Sequence, residues 1–480
     1  MKIPEFSEDK IKEKSLRISI QEGCANAVSE GFGHRYITPY ALALGASNAI
    51  IGLLVTLPSL IGSFSQLFSY NLLKVTTRKK AIIAAVTTQA IMWLPLMTLG
   101  IILMILHTNG QAASISANLS FPLLLVFLYS ALVLTSSLTS PLWSSWMRDL
   151  LGDNIGEYFA RRSKTMSFFA LISMAIAGFI LDYFKQTNLF LGFTIIFFIA
   201  FLGRLISSFL LRKQYDPKYG FDNRNYFSFF AFVRKAKETN YGHFTIYIGL
   251  MLFVVAIASP FFAVYQLKNL GLSYILYTGL LVTALLSTIV FLPLWGKFTD
   301  RFGNLTALSI TGYIIPLIPL TYLLVPALLK ISFLTAIIFL FLVEIISGFS
   351  WAGFDLATGN FAYKEVSREK MPLCISYSNL IYAIGMFLGA TLGGFLSTWV
   401  GVSSPDFNIL GIIYPSILIL FLISAILRFS VSAIMLPKIH EIVKKEKFEF
   451  SKLQKELSSL NLWHYIYHHK VNGHVTKIKA

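Results

Sequence analysis

Six ionisable side chains stand in stretches of this sequence that are otherwise apolar enough to lie in a bilayer: Glu30, His34, Arg35, Arg204, Glu344 and Arg428. A charge placed there costs roughly 2.5–3.5 kcal/mol on insertion scales, so such groups by default mark solute or proton pathways. Glu30 and His34 are one helical turn apart on one face. A carboxylate beside an imidazole, out of water, can exchange a proton in the physiological range. Glu344 lies midway along another apolar stretch with no basic residue near it in sequence. Glu30, His34, Arg35 and Glu344 are therefore the expected proton-coupling or cavity groups. The competing reading is an ion pair, Glu30 with Arg35 or His34, that only fixes packing. Arg204 and Arg428 take matching places in the two halves of the chain and can snorkel toward a nearby helix end, which points to scaffold. Asp182 falls near the outer end of its stretch.

The elements that position these groups follow from composition. Of 480 residues, 55% are hydrophobic and only 13% charged. A soluble chain needs about a quarter of its residues charged, so this surface must face lipid. Apolar stretches of about 20 residues, the length that crosses a bilayer core, recur twelve times. They run approximately over 18–42, 48–72, 80–105, 121–146, 165–184, 188–212, 243–266, 274–296, 305–328, 332–356, 374–399 and 409–435. Each is read as helix, because a lone strand leaves its backbone unsatisfied in lipid. The net charge of +17 forms no single stripe, which argues against nucleic acid as a partner. Connections before even-numbered spans hold only Lys185, Lys268 and Lys330; the remaining connections and both ends carry most of the basic residues. That bias predicts a cell-membrane protein with both termini cytoplasmic.

The two halves repeat. Gly-Leu-Leu-Val-Thr occurs at Gly52–Thr56 and again at Gly279–Thr283, each copy preceded by a Thr-Pro or Ser-Pro step and a Leu-Gly-x-Ser turn (Leu44 to Ser47, Leu270 to Ser273). Arg148-Asp149 matches Lys364-Glu365, and Arg204 matches Arg428. Each half has an even number of spans, so both copies have the same orientation: a parallel repeat about an axis along the membrane normal. The expected units are a six-helix bundle over 1–212, a cytoplasmic loop over 213–242, a second bundle over 243–436 and a basic cytoplasmic tail over 437–480. In that tail Lys444, Lys445 and Lys447 suit anionic headgroups. His464, His468, His469 and His474 crowd it too, without carboxylates or cysteines at ligand spacing, so no metal is expected. Gly385, Gly389 and Gly393 form a close-packing face.

Between spans eight and nine the chain reads Gly296-Lys-Phe-Thr-Asp300-Arg301-Phe-Gly303. This resembles the G-x-x-x-D-R-x-G loop motif of the major facilitator superfamily. Gly296 would let two helices approach, Asp300 would accept hydrogen bonds at a helix end, Arg301 would pair locally, and Gly303 would supply the turn. The first-half counterpart departs from the pattern, with Lys74 where the family places an acid. The turn from Trp143 through Asp149 to Arg162 also resembles prokaryotic members. The resemblance implies an all-α fold of twelve transmembrane helices in two six-helix bundles, with a small solute bound between them and alternately exposed. It makes the loop motif, with Asp149 and Glu365, a cytoplasmic gate.

No phosphate loop, zinc motif, nucleophile elbow or dinucleotide fingerprint is present. An enzyme and a bound cofactor are therefore not expected. The leading function is secondary transport of a small solute, coupled to protons, by a monomer in the bilayer. Alternatives are a facilitative uniporter, a drug-efflux member of the same superfamily, or a non-transporting membrane sensor acting through the tail.

Overall fold

The computed structural model describes residues 5–66, 76–109, 119–151, 155–217, 228–365, 371–403, 406–409 and 412–441. Eleven of the helices in those residues are long and apolar enough to cross a bilayer. In chain order they are span two (Asn48–Gln66), three (Arg78–Thr108), four (Ser120–Met147), five (Arg161–Lys185), six (Leu189–Arg212), seven (Asn240–Asn269), eight (Tyr274–Phe302), nine (Asn304–Ile331), ten (Phe333–Phe361), eleven (Leu373–Trp399) and twelve (Leu418–Lys438). Span one covers 5–43 and packs on the helices of spans five and six. Its charged first turns and its internal Glu22, Glu30 and Arg35 make it too polar to qualify by composition alone. The chain is a twelve-helix, multi-pass membrane protein.

Two expectations change. Residues 409 and 412–417 are not helix: Phe407–Ile409 pairs antiparallel with Ile412–Tyr414, and the twelfth helix starts at Leu418. Isoleucines favour a pleated edge, Phe407 stacks on Tyr414 at 5.5 Å, and Pro415 lacks the donor a longer helix needs. The first helix begins at Glu5, well before the apolar stretch.

The duplication is visible in backbone detail. Spans one and seven both break after Phe32 and Ala256, 224 positions apart. A 3₁₀ turn, His34–Tyr36, follows the first break; the second leads into Ser259-Pro260 and a π segment, Tyr265–Asn269. Both Leu-Gly-x-Ser turns place glycine at positive φ, Gly45 at 73° and Gly271 at 63°, where a Cβ would be strained. The serine of each then accepts from the next helix's first turn, Ser47 from Ile50 and Ser273 from Leu276.

A second repeated device closes each half on the basic face, where most Lys and Arg gather. The backbone N–H of Tyr215, after span six, donates to Ser15 Oγ in span one; that of His440, after span twelve, donates to Asn240 Oδ1 in span seven. Both pairs are related by 225 positions. The following acids, Asp216 and Glu441, then hold the starts of spans three and nine.

Packing differs between the two sides of the membrane. Toward the far face one apolar core joins both halves, with Tyr36, Tyr40 and Phe193 alongside Phe261, Tyr265 and Tyr274. Toward the basic face the described residues form two separate cores, one around Trp146 and Met147, the other around Tyr247, Trp295 and Phe354. Backbones approach closely where glycine permits. A Cβ on Gly385 would sit 2.6 Å from the Gly249 carbonyl, and Gly389 and Gly393 are tighter still against Phe253 and Ile257. Span eleven thus lies along span seven, as the three-glycine face predicts. Between halves, Gly52 meets Ala390 and Gly178 meets Thr278.

Candidate functional site: the pathway and its gates

The break after Phe32 decides the fate of the first candidate pair. Because the α-helix stops there, His34 does not fall one turn above Glu30 as an unbroken helix would place it. His34 Nδ1 instead meets the Tyr129 hydroxyl at 3.1 Å, and its ring lies edge-on to Trp93 at 5.4 Å. Glu30 pairs with Arg35 at 3.6 Å, longer than a hydrogen bond, and both side chains are about half exposed (46% and 47%). An ion pair this loose, at mid-span, is open to exchange of partners.

Across from it, Glu344 of span ten accepts from the Tyr322 hydroxyl at 3.1 Å, and Tyr322 accepts from Gln266 Nε2 at 2.8 Å. This chain ties span ten to nine and to the π segment of span seven. Tyr277 of span eight lies close enough to feel both the Arg35 and the Glu344 charges, although those residues belong to opposite halves. Arg35, with Glu30 paired to it, and Glu344 are thus both within electrostatic reach of Tyr277; His34 packs on Tyr129 and Trp93 of the first half.

Arg204 and Arg428 do not snorkel. Both are buried, at 8% and 2% exposed, and each is held by polar groups, as a charge in such a site requires. Arg204 donates to Gln89 Oε1 and Asn26 Oδ1, both at 2.6 Å, and lies 3.8 Å from Glu22. Glu22 also pairs with Arg162 at 3.0 Å and accepts from Ser207. Arg428 has no described carboxylate; it donates to Ser424 Oγ and to the Val255 and Ile315 carbonyls.

Sequence reasoning missed Glu22 and Asp355. Glu22, Asn26 and Glu30 recur every fourth residue along one face of span one, a signal that was available. Asp355 lies eleven residues past Glu344, again on the same helical face, close to the expected end of span ten.

On the basic face, Asp149 accepts from Arg78 at 2.6 Å, and Arg78 reaches Asp216 at 3.0 Å and Ser145 at 3.1 Å. Arg78 is therefore the centre of this first-half cluster; Lys74 lies outside the described residues. In the second half Gly303 adopts φ 93°, the turn the motif implies. Glu441 caps the helix that follows, accepting from the N–H groups of Asn304 (3.1 Å) and Leu305 (2.6 Å). Arg301 covers the Phe302 ring at 5.0 Å, and Asp300 is exposed at the end of the span-eight helix. Gly296 meets no described atom where a Cβ would stand. The close approach of spans eight and ten falls instead at Gly348, against Ser287 and the Ala284 carbonyl. Glu365 is the last residue of the span-ten helix. The C-terminal histidines and Lys444, Lys445 and Lys447 lie outside the described residues.

The far face is sealed between halves. The Tyr36 hydroxyl, 2.7 Å from Thr278 Oγ1, donates to the Met174 carbonyl at 2.6 Å. Asn48 bonds Ser397 across spans two and eleven. Asp182, in the first half, accepts from the backbone N–H groups of Tyr274 and Ile275, both at 2.8 Å, at the start of span eight.

Twelve helices in two repeated bundles, with ionisable groups inside the membrane spans, define a membrane transporter fold. The family profile described as Major Facilitator Superfamily matches residues 34–365, and the chain belongs to that superfamily of membrane transporters. Among solved structures it is similar to the nucleoside transporter NupG (15% identity, TM-score 0.62, covering 88% of this chain and 100% of that one). It is also similar to a bacterial homologue of the human lysosomal transporter Spinster in an inward-facing, unoccupied conformation (16%, 0.59, 90% and 99%). A bacterial homologue of the iron transporter ferroportin in an inward-facing state gives 11% and 0.63, covering 88% and 98%. At these identities the likeness is one of fold. No curated protein matched the sequence.

Proposed function

We propose that this protein moves a small solute across the cell membrane by alternating access, with proton coupling through Glu30 and Glu344. The supporting observation is the asymmetry of the core: shared between halves at the far face, divided in two at the basic face. In this reading the conformation exposes the Glu30–Arg35 pair and Glu344 toward the basic, cytoplasmic side. Glu344 sits in a desolvated place and keeps a single described hydrogen-bond donor; Glu30 is loosely paired. Glu344 can change protonation as access alternates, because water lowers the penalty on its charged form. A solute that binds one protonation state better then couples the two fluxes. Arg204, Arg428 and the Arg78–Asp149 pair serve as scaffold and gate.

The test is uptake of a solute library by proteoliposomes holding the purified protein, with and without an imposed pH gradient. Uphill accumulation should require the gradient and be lost in Glu344→Gln or Glu30→Gln, while downhill exchange persists. Accumulation by both variants equal to the parent's would exclude these carboxylates as coupling groups.

A further inference from the structure

Span ten has two faces of opposite character. One carries Leu334, Ile338, Leu342 and Ile346, suited to lipid. The other carries Glu344, Trp351 and Asp355, at seven- and four-residue steps that hold within about 20° of one line on an α-helix. Glu344 accepts from Tyr322 and, with Arg35 of the other half, is within electrostatic reach of Tyr277, which puts the Glu344 end of this second face near the boundary between halves. Asp355 lies about 16 Å nearer the basic face, with Trp351 one turn deeper than it.

The charges along this route do not cancel. Arg35 is matched by Glu30, while Arg204 and Arg428 are buried in their own networks. Among the described residues Asp355 has no ion pair or hydrogen bond, and Glu344 has no basic partner. Tyr277 is 4% exposed, its hydroxyl makes no hydrogen bond among the described residues, and the charges of Arg35 and Glu344 both reach it. Net negative charge in a low-dielectric cleft concentrates cations and repels anions. An indole face between two carboxylates adds attraction for a desolvated ammonium.

We infer that the solute is a small organic cation, received at Asp355, passed over Trp351 and held at Glu344 beside Tyr277. This rests on the transport reading for its route and sharpens it by naming the substrate class. The two carboxylates then differ in role. Asp355, at the mouth, speeds capture; Glu344, deeper, holds the bound cation, since a rim charge acts on association and a desolvated partner on dissociation.

Equilibrium dialysis of the purified full chain against radiolabelled 1-methyl-4-phenylpyridinium tests this. The competitors are biphenyl-4-carboxylate and biphenyl-4-methanol, an anion and a neutral molecule of similar skeleton. Saturable cation binding is expected, with neither competitor displacing it. Glu344→Gln should weaken it at least tenfold, and Asp355→Asn should slow association several-fold in a rapid-filtration time course, with a smaller loss of affinity at equilibrium. Lys330→Gln, at the opposite end of the membrane span, should leave it unchanged. Absence of cation binding by the parent, equal displacement by the carboxylate or the alcohol, or unchanged binding by both acid variants would each overturn the inference. The competition on the parent protein stands even where a variant fails to fold. Binding with this charge preference but no uptake into proteoliposomes would refute transport and keep the cation site; uptake blind to charge would do the reverse.

Discussion

Asp182 and Glu441 make the same bond in opposite places. Each carboxylate accepts two backbone N–H groups at the start of a membrane helix, Asp182 on span eight and Glu441 on span nine. The chemistry is a charged helix cap in both cases. Asp182, however, reaches across from the other half at the far face, while Glu441 stays within its own half at the basic face. The rest of each side follows suit. At the far face Tyr36–Thr278 and Asn48–Ser397 also cross between halves. At the basic face the polar contacts between described residues stay inside one half, as with Arg78–Asp149 and Asn240–His440. Bonds within a half stiffen a body; bonds between halves choose a state. Among the described residues, the polar bonds between halves are confined to the far face.

The largest disruption is expected from the within-half network of the first bundle. Glu22→Gln removes the one carboxylate facing both Arg162 and Arg204. Removing one partner of a buried pair costs about 3–5 kcal/mol, and here two guanidiniums are left. Thermal unfolding in detergent should show a marked fall in midpoint. An unchanged midpoint would mean that Gln89 and Asn26 alone suffice for Arg204, as carbonyls and Ser424 suffice for Arg428.

A smaller effect separates the two caps. Glu441→Gln should cost about 1 kcal/mol and speed hydrogen exchange at residues 303–306, without altering which side is open. Asp182→Asn should lose a similar amount from the sealed state alone, shifting the balance of states about fivefold with little change in unfolding midpoint. Equal behaviour of the two variants would erase the distinction between stiffening and state-choosing bonds.

Much of this architecture was legible in the sequence, because long apolar runs, the charge bias of connections and an in-register repeat are local signals. The Leu-Gly-x-Ser turns and the glycine face of span eleven appear where the sequence puts them. The hairpin at Phe407–Tyr414 was not legible, since an apolar isoleucine-rich stretch reads equally as the start of a span. Of the site, the candidate ionisable residues were legible and their partners were not. Arg35 follows Glu30 closely enough in sequence to pair with it, but the turn of His34 toward Tyr129 depends on a helix break that Gly33 permits: a Cβ there would strike the Trp93 ring, on another span. The straps at Tyr215 and His440 also depend on contacts some 200 residues distant in sequence, beyond any local pattern.

Electron–electron distance measurements in nanodiscs test the exchange of states most directly. In a background of Cys24→Ser and Cys374→Ser, spin labels at Gln186 and Lys268 report across the far face, and labels at Lys80 and Lys237 across the basic face. The account predicts reciprocal distributions: in the parent a short far-face distance with a long basic-face one. In Asp182→Asn a second population should appear with the far-face distance lengthened and the basic-face distance shortened. Distances that stay single and identical in both proteins, or that lengthen on both faces together, would contradict alternating access by these two halves.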